Sequence, residues 1–345
     1  MTGAIYINTK VVKMKKSGIV LYFVFIVAVC FLLIFLAKKR YVDFDKNYTF
    51  GNNTKDLTVT ELPAKPLTGF QSTFACIPKD MEISNETVDS ETFAAVMINN
   101  TDREVVIAHN AFKRSYPASI TKLMTFILVN EKLAEGKLSL DSVVTIQSTP
   151  TFGNHTGVMK SPLVKGCSIS VRNLLFGLML RSYNDYAVIL AETFGGSEAE
   201  FVNMMNEKAK ELGCTSCHFV NPHGIHEPEH YVSAYDLYLI INEANKYELL
   251  HEIDSYDTYI YNYSDVSGLA ATDEIEPTNR LTNGEFSVSG NAKIEVWKTG
   301  TTDKAKYCIN MITTIGDKEY TIVILGCNTS DELYSLAIKM LNYAK

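Results

Sequence analysis

Three short polar motifs occur in a fixed order along this chain: Ser119-Ile120-Thr121-Lys122, Ser182-Tyr183-Asn184 and Lys298-Thr299-Gly300. They demand a fold that gathers a helix, a turn between helices and a strand end in one place. A serine three residues before a lysine arises by chance about once in a chain of this size, so the first motif alone decides little. Order and context decide more. A second match to the middle motif, Ser289-Gly290-Asn291, stands seven residues before Lys298 and leaves no room for intervening helices, so it reads as a loop.

The residue types suit nucleophilic catalysis. A serine hydroxyl needs a base within hydrogen-bond reach, and a lysine serves only when it is held uncharged. At three residues apart on a helix, Ser119 and Lys122 are neighbours, with Cβ atoms about 5–6 Å apart. Ile120, Leu123, Met124, Phe126, Ile127, Leu128 and Val129 surround that helix with apolar side chains and predict its burial. Burial disfavours an ammonium, and a second cation at Lys298 adds to the effect, so a lowered pKa for Lys122 is expected. The plain alternative is a serine near a helix start with a surface lysine one turn on.

Val171, Leu174, Leu175 and Leu178 recur at helical spacing after a candidate cap, Ser170, and a second apolar run from Tyr186 to Thr193 ends at Gly195-Gly196. The turn between them holds Ser182 as a candidate proton relay and Asn184 as a candidate donor to a substrate amide. Ordinary turn chemistry is the competing reading. Ile294 to Thr299 alternates as a strand, with Lys298 supplying positive charge, Thr299 a hydroxyl, and Gly300 room for a substrate backbone to approach. A plain strand exit into a turn fits the same residues.

On these residues, the chain resembles the serine D-alanyl-D-alanine carboxypeptidases, the low-molecular-mass penicillin-binding proteins. The likeness runs from about residue 92 to the end. It includes Tyr116-Pro117-Ala118, Leu123-Met124-Thr125, Phe201-Val202-Asn203-Met204-Met205-Asn206 with Leu212-Gly213, and Phe219-Val220-Asn221-Pro222-His223-Gly224. The resemblance implies an α+β fold of the β-lactamase and penicillin-binding-protein type, an antiparallel sheet from both chain ends around a mainly helical insert. It further implies a Ser119 acyl-enzyme formed from a peptidoglycan stem peptide ending in D-Ala-D-Ala, with Lys122 as base and Ser182 and Asn184 in the cleft. Lys298 and Thr299 would engage the terminal carboxylate, helped by Thr301, and the N–H groups of Ser119 and Thr301 would form the oxyanion hole. β-Lactams would be covalent inhibitors, and no cofactor or metal is expected.

The sequence also departs from the family. Tyr183 stands where glycine is usual, predicting a narrower or more aromatic cleft rim. Val296 and Trp297 precede the third motif in place of a glycine, Lys306 follows it in place of another, and no arginine occurs after Arg280, where many members place one for the carboxylate.

A net charge of −7 argues against a nucleic-acid partner. Within it the N-terminal stretch is basic: Lys10, Lys13, Lys15 and Lys16 precede the uncharged apolar run 19–37, and Lys38, Lys39 and Arg40 come after it. Nineteen such residues suffice to span a bilayer, and the flanks offer a poor signal-peptidase site. The expected order is a cytoplasmic tail at 1–18, a membrane anchor at 19–37, an extracytoplasmic linker at 38–91 and a catalytic domain at 92–345 of a bacterial cell-membrane protein. As a flexible coil the linker reaches on the order of 40 Å. Part of it, around Phe70 to Ile77, has an alternative as a segment packed on the domain.

Seven cysteines include the pair Cys214-Thr215-Ser216-Cys217, read as ordinary thiols, with disulfides the main competitor. Cys308 and Cys327 fall on neighbouring predicted strands. His223, His226 and His230 are the one metal-like cluster, but Pro222, Gly224 and Pro228 break any helix there, so loop histidines are the better reading. Two other function classes fit the motifs. A class A β-lactamase needs a deacylating glutamate, and no Glu-x-x-Leu-Asn lies between Ser182 and Lys298. A penicillin-binding sensor with poor turnover is the second.

Overall fold

The computed structural model describes residues 4–7, 10–13, 70, 73–83, 88, 93–286 and 292–344. The chain divides into two compact units, 1–65 and 66–345. In the first, β1 (Ala4–Ile7) and β2 (Lys10–Lys13) pair antiparallel, Ala4 opposite Lys13. The apolar run 19–37 and the decoy Ser289-Gly290-Asn291 lie outside the described residues. Among the described residues no helix is long and apolar enough to cross a membrane.

The second unit begins with strands β3 (Ala94–Asn99) and β4 (Glu104–His109), then a short 3-10 turn, Ala118–Thr121, leading into α1 (Lys122–Ala134). Next come β5 (Val143–Thr145), β6 (Ser168–Ser170), α2 (Val171–Phe176) with a π-helical extension over Gly177–Arg181, α3 (Asn184–Gly195), α4 (Glu198–Glu211), α5 (Ala234–Ala244) and α6 (Glu248–Asp254). Strands β7 (Tyr259–Ser264), β8 (Ala270–Ile275), β9 (Ala292–Thr302), β10 (Lys306–Ile315) and β11 (Lys318–Cys327) precede the last helix, α7 (Ser330–Leu341).

Strands from both ends of this second unit build the main sheet, an antiparallel one in the order β4-β3-β11-β10-β9. Every residue of β3 is buried, as in a strand covered on both faces. Helices α5 and α7 pack on the sheet. Side chains fix where helices begin: Ser170 and Ser197 accept from the third residue beyond, while Ser233 with Asp236 and Thr329 with Glu332 form reciprocal capping boxes. Each such cap is worth about 1 kcal/mol. Besides its helices, the insert holds a second, four-stranded sheet, β5-β6-β7-β8, which the sequence reading does not anticipate.

Residues 73–83 pack on this unit. The Tyr238 hydroxyl accepts from the Ala75 nitrogen at 3.0 Å, the Tyr235 hydroxyl donates to the Ala75 carbonyl at 2.8 Å, and Ile83 pairs with Ala108 on the free edge of β4. The second of the two expectations for that stretch, a segment packed on the domain, describes it. The cysteines Cys76, Cys167, Cys214, Cys217, Cys308 and Cys327 are free thiols. Burial pushes the Cys308 and Cys327 thiols up to about 12.

Strand β9, which carries the third motif, lies at the edge of the main sheet. On one side β10 covers it in continuous register from Trp297–Met311 to Thr302–Lys306. On its other side the Trp297 N–H donates to Asp254 Oδ2, at the end of α6, at 2.8 Å. Backbone N–H groups two residues apart point to the same side of a strand. The N–H groups of Thr299 and Thr301 therefore face outward as Trp297's does.

Candidate active site

The nucleophile turn is held under tension. Ala118 sits in the left-handed region at φ 48°, which costs a non-glycine residue about 1–2 kcal/mol, and places Ser119 half-buried at the mouth of α1. Gly224 clamps it from one side: at φ 88°, its added Cβ would lie within bonding distance of the Ala118 carbonyl oxygen, 1.8 Å away. From another side comes Gly300, where a Cβ would meet the Pro117 carbonyl oxygen at 2.7 Å and the Ser119 nitrogen at 3.1 Å. This corrects the expected reason for the third motif's glycine. The space is filled by the protein's own nucleophile turn rather than left for substrate.

Lys122 is fully buried, and its Nζ lies 2.8 Å from Ser119 Oγ. It donates to Asn184 Oδ1 at 2.8 Å and to the His223 carbonyl at 2.7 Å. Those two partners can only accept. A neutral amine has two N–H bonds and one lone pair, so with both N–H bonds committed, the lone pair is left for the Ser119 hydroxyl. Burial first, then the Lys298 charge, hold the Lys122 pKa well below the usual lysine range, against an opposing pull from Asp185.

Ser182 and Asn184 come to the same place through the chain reversal between the π-helical extension and α3. Ser182 ends that extension in the left-handed region at φ 64°, and its buried hydroxyl has no hydrogen-bond partner. Asn184 Nδ2 gives one N–H to the Met159 carbonyl at 3.0 Å and keeps its second. Asp185 fixes the wall beside it by accepting from the Ser161 nitrogen at 3.1 Å and the Ser161 hydroxyl at 2.5 Å. Tyr183 departs from expectation: it is 6% exposed, packs on Tyr186 and donates to Asp273 at 3.1 Å, so it lies away from the cleft rim.

Thr299 and Gly300 of the third motif, and Thr301 after it, line a cleft of about 860 Å³ together with Ser119, Ser182 and Asn184. Thr299 Oγ1 is 2.6 Å from Thr278 Oγ1, and Thr301 is exposed. Lys298 is 0% exposed, below the cleft lining, with its Nζ on the Thr299 carbonyl at 3.3 Å. Here its ammonium stands behind Thr299, one residue from the cleft wall. Burial lowers its pKa to about 7, opposed by the nearby Asp254.

Sequence reasoning missed one supporting network. Val220 N–H donates to His230 Nδ1 at 3.2 Å, so the other ring nitrogen, Nε2, carries the proton and donates to Thr121 Oγ1 at 2.8 Å. The Thr121 hydroxyl in turn donates to the Ala118 carbonyl at 2.8 Å, tying the strained turn to the loop that carries Gly224. Burial drives the His230 pKa down to about 3, which keeps the ring neutral. His223 Nδ1 accepts from Ile225 N–H, and His226 packs edge-on against Tyr116. Among the described residues no group of three or more His, Cys, Asp or Glu is placed to hold a metal ion.

The fold that carries this site is similar to those of solved DD-peptidases. The Streptomyces K15 DD-transpeptidase superposes with a TM-score of 0.65 at 29% identity, covering 72% of this chain and 95% of that one. The D-alanyl-D-alanine carboxypeptidase DacD from Francisella tularensis gives 0.64 at 25%, covering 81% and 75%. The architecture is thus the α+β penicillin-binding-protein fold. The sequence profile of the D-alanyl-D-alanine carboxypeptidases matches residues 80–329, and the chain belongs to that family. D-alanyl-D-alanine carboxypeptidase DacF from Bacillus subtilis (strain 168) is 35% identical over 256 residues, 74% of this chain and 62% of its own length. D-alanyl-D-alanine carboxypeptidase DacC from Escherichia coli (strain K12) is 27% identical over 272 residues, 75% and 63%. The chain therefore spans about three-fifths of the length of these curated relatives.

Proposed function

We propose that this chain is a membrane-anchored serine D-alanyl-D-alanine carboxypeptidase that removes the terminal D-alanine of peptidoglycan stem peptides. One observation carries the reading: Lys122, buried beneath the cleft that Ser119 lines, has both its N–H bonds committed to acceptors and its lone pair free for Ser119. Ser119 Oγ attacks the penultimate D-Ala carbonyl carbon while its proton passes to Lys122 Nζ. The resulting oxyanion is received by the N–H groups of Ser119 and Thr301, the latter on the outward side of β9. Collapse breaks the peptide bond, and the proton returns to the leaving D-alanine amine through the Ser182 hydroxyl, whose oxygen has no other partner. Water then cleaves the Ser119 ester. Thr299 and Thr301 bind the terminal carboxylate in the field of Lys298, and Asn184 donates its remaining N–H to the substrate backbone.

β-Lactams would acylate the same serine. The uncharged run 19–37 supports a single-pass anchor with the catalytic domain outside the cell membrane. The decisive experiment measures D-alanine release from diacetyl-L-Lys-D-Ala-D-Ala by the detergent-solubilised full chain, with Ser119→Ala as control. Release by wild type and none by the variant is expected. Labelling by fluorescent penicillin without release would favour a sensor, and label persisting on Ser119→Ala would place the nucleophile elsewhere. Extraction of the intact chain from membranes by alkaline carbonate would refute the anchor.

A further inference from the structure

We infer that the cleft selects stem peptides carrying a free side-chain carboxylate on the residue just before D-Ala-D-Ala, and that Arg181, Lys304 and Lys306 form the rim that receives it. This deepens the carboxypeptidase reading and rests on it.

The chain as a whole is acidic, with 39 Asp and Glu against 32 Lys and Arg. Its cleft reverses that balance. Four cations, Arg181, Arg280, Lys304 and Lys306, line it against one carboxylate, Asp303. Arg280 is already neutralised by Glu285 at 2.6 Å and Asp331 at 2.8 Å. Among the described residues the other three make no ion pair. Low-dielectric walls focus such uncompensated charge on an incoming anion.

Lys306 supplies an independent sign. It stands at φ 59° where β9 turns back into β10, in a loop braced by the Ala305 N–H on Thr302 Oγ1. Glycine takes that conformation freely and lysine does not. The side chain is exposed, so burial does not offset the strain. What a lysine brings there is its charge, and a strained residue at a cleft mouth points to function.

Position then says which anion. A peptide lying antiparallel on β9 points its C-terminus toward Thr299 and its preceding residues toward the 303–306 turn. The terminal carboxylate is therefore at the opposite end from Lys304 and Lys306, which face the residue before the dipeptide. Arg181 immediately precedes Ser182 and lines the same cleft.

The test compares two substrates, N-acetyl-meso-diaminopimelyl-D-Ala-D-Ala and the same peptide with the side-chain carboxyl amidated. For the full chain, KM is expected to be about fivefold or more lower for the free acid, as a few partly exposed charge pairs would give, with little change in kcat. The preference should shrink in 0.5 M salt. Lys306→Gly, Lys304→Gln and Arg181→Gln should each move the KM ratio toward one, and Lys306→Gly should do so without lowering Tm, because glycine suits the turn. Equal KM values in wild type, or a preference that survives the triple variant, overturns the rim. If neither peptide releases D-alanine, the carboxypeptidase reading fails by itself. The rim is then read from protection of Ser119 against fluorescent penicillin: stronger protection by the free acid supports it, and equal or absent protection overturns it.

Discussion

Gly300 and Pro117 are in such close contact that a single methyl group on the glycine would sit 2.7 Å from the proline carbonyl oxygen. The strand that holds the third motif is thus also the surface against which the nucleophile turn is moulded. Gly300→Ala must displace that turn, since backbone lies on both sides of the contact. Misplacing a nucleophile by about 1 Å costs on the order of 10²-fold in rate. The second-order rate of acylation by a β-lactam, followed by fluorescence, should fall by about that factor while the protein remains folded. A wild-type rate would show that the turn relaxes without harm.

The pH profile of acylation should rise as pH increases, because the reactive form of Lys122 is the neutral one. Burial and Lys298 both depress its pKa, so replacing Lys298 by the uncharged Met removes one of these forces. The Lys122 pKa then moves up, and the rising limb should shift to higher pH. Lys122→Arg keeps the charge but has no accessible neutral form, and should slow acylation by about 10²–10⁴-fold. An unshifted profile in Lys298→Met would sink the electrostatic coupling.

Ser182 offers a case in which activity and stability part company. Its buried hydroxyl is unsatisfied in the free protein, and such a group costs about 1–3 kcal/mol. Ser182→Ala should therefore melt no lower than wild type in calorimetry, yet release D-alanine far more slowly. A clear drop in Tm would mean that the hydroxyl is bonded within the fold.

For His230 the expectation is reversed. Its ring satisfies Val220 N–H and Thr121 Oγ1 inside the protein, so His230→Ala leaves buried polar groups unpaired and should lower stability by about 1–3 kcal/mol. The folded pKa of about 3 lies below the usual histidine value of about 6.5. The unfolded chain thus takes the proton first, and this residue's contribution is complete above about pH 6.5 and erodes as pH falls toward 3. Denaturant midpoints across that range should fall less steeply in the variant.

The readable parts of the sequence were those set by local rules. Ser170 predicted the start of α2, Gly195-Gly196 the stop of α3, and the alternation around Gly316-Asp317 the β10–β11 hairpin. The three motifs were readable because the chemistry restricts residue type at short spacing. The second sheet was not, since β5 and β6 are three residues each and β8 reads Ala-Ala-Thr-Asp-Glu-Ile, without a clear apolar alternation. Tyr183, Lys298 and His230 escaped for one physical reason. Which way a side chain points, and what lies 109 residues away to meet it, is settled by tertiary packing.

The contact between Trp297 and Asp254 gives the cleft a closed end. An extended peptide can add to the outer side of β9 along Thr299 to Thr302, but one step earlier the strand's outward N–H is already bound to a carboxylate of the protein. A polypeptide passing through in the middle of its length would have to displace that carboxylate. A chain that finishes there would not. On the carboxypeptidase reading proposed above, a strand edge that runs out at this point would favour the end of a peptide over an internal bond.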